Sequence, residues 1–228
     1  MGRLPRPHRE ERLTDPLWHD GSLGALPNGV PRPVVWSVRL DSEAAAAALA
    51  WSPHTDRDLV DFAAAADAGN RLLRRRLTRA LLGHLTGVAA SDILFGRTSE
   101  GAVSVLSPKG WHLSVAGRAP LCLIGVSPAA IGVDVEPFDD SPPLWDMLTE
   151  AEGAAIERLP AGDRPHEWLH RWAAKEAHAK RFGCARRADP ALIETQRVGA
   201  DRLEVISNEG VSDCRLRVVG GRIEAVAL

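Results

Sequence analysis

The sequence predicts an α+β fold made of two halves with similar organisation. Two observations lead to this prediction: helix and strand patterns follow one another twice in a similar order, and a composition break, PFDDSPP at 137–143, lies in the middle part of the 228 residues. Paired prolines cannot sit inside a helix or a central strand, so this segment marks a connection. We expect an N-terminal arm at 1–32, a first half at 33–127 and a second half at 128–228.

The first half begins with an alternating strand over 33–40, and Asp41-Ser42 then opens an alanine-rich helix. A second helix is predicted over 52–68. The clearest helix runs from Asn70 to Gly87, because leucines recur there at every fourth position and Gly87 provides a C-cap. Short strands are predicted at 102–106, 111–115 and 119–126. The arm before them contains five prolines and little periodicity, so it is predicted to be extended.

The second half opens with a strand at 131–136. Thr149 and Glu152 form a capping-box pattern for a helix that ends near Leu159. A longer helix is predicted over 163–182, with Gly183 at its end. The tail predicts three strands, near 202–207, 213–219 and 222–227, separated by turns rich in glycine.

Composition favours an ordinary globular chain. The 28 basic and 30 acidic residues give a net charge of −2, which provides no reason to expect a nucleic-acid or membrane partner. Cys122, Cys184 and Cys214 are too few and too far apart for a disulfide framework, which fits a cytosolic compartment. No apolar run approaches the ~18 residues of a membrane span. The N-terminus has no apolar core typical of a secretory signal.

Two short segments carry the chemistry. In the strand at 131–136, side chains alternate between faces, so Asp134 and Glu136 share one face and the apolar residues the other. Two carboxylates placed in this way repel each other unless a cation lies between them. A D-x-E pattern on a strand is common, however, and alone it is weak support for a metal site.

The second segment is the helical stretch 172–180. At a spacing of four residues, Trp172, Glu176 and Lys180 share one helix face. Glu176 could complete an all-oxygen site of the kind that Mg²⁺ prefers, and the neighbouring lysines could provide charge for phosphate. The simpler alternative is a solvated Lys–Glu face.

Taken together, the two segments resemble the 4′-phosphopantetheinyl transferases of the larger, surfactin-synthetase type. The signature is G-[IV]-D-[IV]-E followed by W-x-x-K-E-A-x-x-K. The chain is identical to it at Gly132, Asp134, Glu136, Trp172, Lys175, Glu176, Ala177 and Lys180. The resemblance implies a monomer of two pseudo-duplicated α+β halves, with the site at their junction.

The resemblance also implies an activity: transfer of 4′-phosphopantetheine from coenzyme A to a serine of an acyl or peptidyl carrier protein, in secondary-metabolite or fatty-acid biosynthesis. Mg²⁺ would be held by Asp134, Glu136 and Glu176. Glu176 would act as the general base, and Lys180 would neutralise the departing phosphate. Lys175 is given a phosphate or a structural role, and Trp172 a packing role.

Coenzyme A contacts are implied at further positions. The helix from Asn70 carries five arginines in nine residues, and Arg71 corresponds best to the arginine that contacts the 3′-phosphate in the family. The alternative is a solubilising outer face. Ser114 agrees with the family pattern N-[IL]-S-H-S, but Val115 replaces its histidine. The loop at 99–103 lacks the usual lysine, and the helix at 56–61 is acidic where the family is often basic.

These departures leave two alternatives to a transferase open. The first is a non-catalytic relative that binds a carrier protein or coenzyme A without transfer. The second is a different Mg²⁺-dependent phosphotransferase or a nuclease that uses the same three carboxylates. The second is disfavoured because the sequence has neither a Walker-type glycine loop nor a nuclease-like set of carboxylates and histidine.

Overall fold

The computed structural model describes residues 15–139 and 141–228. Within this part of the chain, the strands are β1 Leu17–His19, β2 Val34–Arg39, β3 Leu94–Arg97, β4 Val103–Ser107, β5 His112–Ala116, β6 Leu121–Ser127, β7 Gly132–Pro137, β8 Glu194–Gly199, β9 Arg202–Ser207, β10 Gly210–Val219 and β11 Arg222–Ala227. The α-helices are α1 Glu43–Ala50, α2 Asp56–Phe62, α3 Ala68–Thr86, α4 Glu150–Glu157 and α5 Arg164–Arg181. The mixed α+β class predicted from the sequence is confirmed. None of these helices has the length and apolar character needed to cross a membrane.

The first sheet has four strands in the order β1-β2-β6-β5. β2 runs antiparallel to β6, and β1 is a parallel edge strand beside β2. β1 falls within the predicted arm at 1–32, so this part of the arm belongs to the sheet. Residues 1–14 of the arm lie outside the described part of the chain. A separate ribbon is formed by β3 and β4.

The second sheet has five antiparallel strands in the order β7-β11-β10-β9-β8. The two halves share two features. In each, the first strand is followed by helices, and this strand pairs with the last strand of the same half: β2 with β6 in the first half, and β7 with β11 in the second. The two sheets differ in strand number, and the common ancestry of the halves stays a prediction.

The apolar core has three parts. One lies between the first sheet and helices α1 and α3, and another between the second sheet and helices α4 and α5. The third joins the two halves and contains Val35, Ala116, Leu123, Ile131, Val133, Val135, Val226 and Leu228. Because Ile131, Val133 and Val135 of β7 face this joint core, the alternation of the strand turns Asp134 and Glu136 toward α5.

The α2 helix is shorter than the predicted helix over 52–68. It spans only Asp56–Phe62, with Thr55 and Asp58 forming its capping box. Asp58 also pairs with Arg79 of α3, with Nη2 and Oδ2 2.9 Å apart, so α2 is held against α3. The alanine-rich stretch that follows therefore turns back into α3 instead of continuing the helix, and tertiary contacts override helix propensity.

Gly132 allows α5 to lie directly against β7. A Cβ atom at this position would overlap the Ala177 carbonyl oxygen and lie 2.5 Å from the Arg181 nitrogen, both backbone atoms of α5. We expect Gly132→Ala to cost about 3 kcal/mol of unfolding free energy, because the backbone must shift to remove the overlap. Urea unfolding of the variant would measure the loss. Gly69→Ala, where an added Cβ meets no atom within 4 Å, is the control. Equal stability of the wild type and Gly132→Ala would contradict the close contact.

His178 of α5 is buried against the second sheet. Its Nδ1 and Nε2 atoms are each 2.8 Å from a serine hydroxyl oxygen, of Ser212 and Ser207 respectively. Burial lowers the pKa of His178 from 6.5 to about 4, an effect that the charge of Arg181 reinforces. The folded protein therefore favours the neutral ring.

This shift predicts a pH-dependent stability. Between pH 6.5 and 4 the unfolded chain binds a proton at His178 that the folded chain does not. The contribution of His178 to the free energy of unfolding is therefore fully present above pH 6.5. It decreases by up to about 3 kcal/mol as the pH falls to 4. Urea unfolding across this window should show a shallower slope for His178→Gln than for the wild type. Parallel slopes would exclude the assignment.

Candidate functional site

The acidic pair lies on β7, as predicted. Asp134 and Glu136 are buried, with 5% and 7% of their surfaces exposed. The Oδ2 atom of Asp134 is buried and has no hydrogen-bond partner within the described ranges. Burial raises the pKa of Asp134, and the nearby ammonium of Lys180 opposes this effect. A buried carboxylate oxygen without a partner is expected where a ligand or cation completes the site.

Helix α5 brings Glu176 and Lys180 to the acidic pair. The Lys180 Nζ atom donates to Asp134 Oδ1 at 2.6 Å. Glu176 is half-buried. Its pKa is raised by burial and by the negative charges of Asp134 and Glu136, while Lys180 and Arg118 lower it. The three carboxylates predicted from two distant segments therefore lie within electrostatic reach of one another.

Glu136 is held by two residues that had no such role in the sequence-based predictions. The Arg118 guanidinium binds it in a bidentate manner, with Nε 2.8 Å from Oε2 and Nη2 3.0 Å from Oε1. The Trp172 Nε1 atom donates to Oε1 at 3.1 Å. Trp172 also contacts Trp168, with ring centroids 5.5 Å apart, so it packs as expected and in addition orients Glu136. The sequence could have indicated this contact, because the spacing of four residues places Trp172 on the same face of α5 as Glu176.

The donor chemistry of this cluster fits a hard divalent cation. Asp134, Glu136 and Glu176 offer oxygen ligands, and Asp134 Oδ2 is free to accept. As placed, though, no three acidic, histidine or cysteine residues of the described chain are gathered closely enough to hold an ion. Lys180 and Arg118 instead neutralise Asp134 and Glu136. The Mg²⁺ ligand set stays a prediction.

A cleft extends from Lys180 across β4 and β5. Its first cavity, of about 300 Å³, is lined by Lys180 together with Ser114, Val115 and Arg186. A second cavity, of about 160 Å³, shares Val103, Leu113 and Val115 with the first, so the two adjoin. The walls of the second cavity include four arginines, Arg71, Arg74, Arg75 and Arg97. The cleft therefore has a lysine beside the carboxylates at one end and a strongly basic region at the other.

The basic face of α3 is not the outer face that the solubilising alternative requires. Arg75 and Arg79 are buried and share one carboxylate, Asp58. Both guanidiniums also lie over the Phe95 ring. Arg71 is exposed and bonds Asp67, whereas the buried Nε atom of Arg74 has no acceptor in the described chain. The positive charge at the second cavity thus exceeds the local negative charge, which favours an anionic ligand.

Ser114 and Lys175 have clear structural roles. The Ser114 Oγ atom accepts from the Val133 backbone nitrogen at 3.0 Å and so ties the two halves together at the cleft wall. Lys175 is 1% exposed, and its Nζ atom donates to Met147 O, Pro190 O and Glu152 Oε2. All three ammonium protons of Lys175 are used inside the protein. Of the two roles given to Lys175, the structure favours the structural one over contact with the coenzyme.

The site has the features of one that binds a phosphate ester: grouped carboxylates, a lysine within reach and a basic cleft. Residues 130–227 match the family model described as 4′-phosphopantetheinyl transferase superfamily. The match supports, for this segment of the chain, the superfamily indicated by the two motifs. It includes Asp134, Glu136, Glu176 and Lys180. No curated protein matches the chain significantly.

Proposed function

We propose that the protein transfers 4′-phosphopantetheine from coenzyme A to a serine of an acyl or peptidyl carrier protein, with Mg²⁺. The observation that carries the proposal is the placement of Glu176 and Lys180 beside Asp134 and Glu136, at one end of a cleft whose other end is lined by arginines. The superfamily match supports the transfer of phosphopantetheine in general.

The cleft has the chemistry to hold coenzyme A, which carries a diphosphate and a 3′-phosphate. The arginine-lined cavity suits a phosphate because guanidinium binds phosphate in a bidentate manner. Arg71 and Arg74 both line it, and Arg74 Nε has no acceptor inside the described chain. Ser114 lines the adjoining cavity. We therefore assign the 3′-phosphate to the arginine end and the diphosphate to the Lys180 end.

In the proposed reaction the carrier serine oxygen bonds to the β-phosphorus of coenzyme A. The bond from this phosphorus to the bridging oxygen breaks, and adenosine 3′,5′-bisphosphate leaves. Glu176 accepts the serine proton as the general base. Lys180 neutralises the departing phosphate. Asp134, Glu136 and Glu176 would hold Mg²⁺, which when bound neutralises charge on the diphosphate.

The test is mass spectrometry of several apo-carrier proteins incubated with the protein, coenzyme A and Mg²⁺. We expect a mass gain of one phosphopantetheine group on at least one carrier, and a gain that forms about 10² to 10⁴ times more slowly with Glu176→Gln. The absence of a gain with all carriers, when coenzyme A binding is seen by calorimetry, would overturn the proposed transfer.

That result would instead favour the second candidate function, a relative that binds coenzyme A or a carrier without transfer. The observation behind it is Val115, which lines both cavities where the family has a histidine. A valine side chain can neither donate a hydrogen bond nor carry charge. The two functions differ in turnover and not in binding, so the mass measurement separates them.

A further inference from the structure

Both carboxylate oxygens of Glu136 accept hydrogen bonds from the protein itself. Arg118 bonds both of its carboxylate oxygens, and the Trp172 indole bonds one of them. The Glu136 side chain is only 9% exposed, whereas the Arg118 side chain bound to it is 61% exposed. A cation that is to bind Glu136 competes with these partners for its oxygens.

Arg118 is the partner that can leave. It lies in the turn between β5 and β6, and its side chain is 61% exposed, so its release requires no movement of the core. Trp172, in contrast, is anchored on α5 against Trp168. Arg118 also acts electrostatically on Asp134 and Glu176, so one guanidinium partly neutralises all three carboxylates.

We propose that Arg118 is a latch: it competes with a divalent cation for Glu136 and, once displaced, binds a phosphate of the substrate. The ligand set that the cation uses rests on the proposed function, while the role of Arg118 goes beyond it. The latch makes cation and anion binding cooperative, because each ligand releases the group that the other one needs. By linkage the coupling must be reciprocal.

The first experiment titrates the metal-stripped protein with Mn²⁺ alone and measures free Mn²⁺ by electron paramagnetic resonance. We expect Arg118→Ala to bind Mn²⁺ roughly three- to tenfold more tightly than the wild type, because the bidentate pair no longer has to be broken. Arg118→Lys keeps the positive charge but loses the bidentate contact. Its Mn²⁺ affinity should therefore lie between those of the wild type and Arg118→Ala.

The control is Arg202→Ala. Arg202 lies on β9, three strands away from β7, and makes the same two-bond contact with Asp213 of β10. Its removal should leave Mn²⁺ affinity unchanged. If Arg118→Lys behaves as the wild type while Arg118→Ala binds more tightly, the effect is one of net charge and the latch is wrong. Equal affinity in all variants, or no Mn²⁺ binding in any of them, also overturns it.

The second experiment repeats the titration with adenosine 3′,5′-bisphosphate present. In the wild type this anion should tighten Mn²⁺ binding, and in Arg118→Ala the enhancement should disappear. The same enhancement in both proteins would overturn the transfer of Arg118 to phosphate. Carrier modification by mass spectrometry is measured separately, so a failure of the latch is distinguishable from a failure of the proposed transferase activity.

Discussion

Replacing Glu176 by Gln is expected to reduce carrier modification by a factor of about 10² to 10⁴, the usual contribution of a general base. Glutamine keeps the size of the side chain but cannot accept the serine proton, and it is a poorer ligand for a hard cation. Initial rates of carrier modification by mass spectrometry would measure the effect at saturating coenzyme A.

The fold should survive this change. Burial and two neighbouring carboxylates raise the pKa of Glu176, so the charged side chain is disfavoured in the folded protein. We expect the unfolding free energy of Glu176→Gln to equal or exceed that of the wild type at neutral pH. Glu157→Gln, on the exposed end of α4, is the control and should keep full activity. An active Glu176→Gln enzyme would exclude Glu176 as the base.

The site could be predicted from the sequence because its residues follow simple periodicities. Alternation along β7 places Asp134 and Glu136 on one face, and the spacing of four along α5 aligns Glu176 with Lys180. The prediction also required that β7 and α5 pack directly against each other. Gly132 makes this packing possible, because only a residue without a Cβ fits against the α5 backbone.

What escaped prediction depends on tertiary contacts. The arginines of α3 have the periodicity of an exposed face, yet Arg75 and Arg79 are covered by α2 through Asp58, which lies far from them along the chain. The contact between Arg118 and Glu136 was not predicted, because Arg118 lies in a turn, where no periodicity indicates the direction of its side chain. β3 and β8 were not predicted: β8 has no apolar alternation, because four of its residues are polar or charged (Glu194, Thr195, Gln196 and Arg197).

The second large effect is expected at Lys175. Its ammonium group is buried between α5 and two short helical turns, at 145–147 and 190–192, and it pairs with Glu152 at 2.6 Å. Glu152 in turn accepts from the backbone nitrogens of Thr149 and Thr195. Lysine and glutamate together therefore connect α5 with α4 and β8, and they fix the helix that carries Glu176.

We expect Lys175→Met to lower the unfolding free energy by about 3–5 kcal/mol, because it leaves the buried Glu152 carboxylate without a cation. Urea unfolding at neutral pH would measure the loss. Lys109→Met, at an exposed position, should change stability by less than about 0.5 kcal/mol. In the double variant with Glu152→Gln the loss should be smaller than the sum of the two single losses, because both charges are removed together.

The same variant separates the two roles that the motif allows for Lys175. If Lys175 only stabilises the position of α5, the KM of Lys175→Met for coenzyme A should equal that of the wild type. The KM is measured at low temperature, where the variant is folded. A lysine that contacts phosphate would raise that KM while leaving stability nearly unchanged, because an exposed ammonium contributes little to folding. The structure favours the first outcome: all three ammonium protons of Lys175 already have acceptors within the protein, and none points into the cleft.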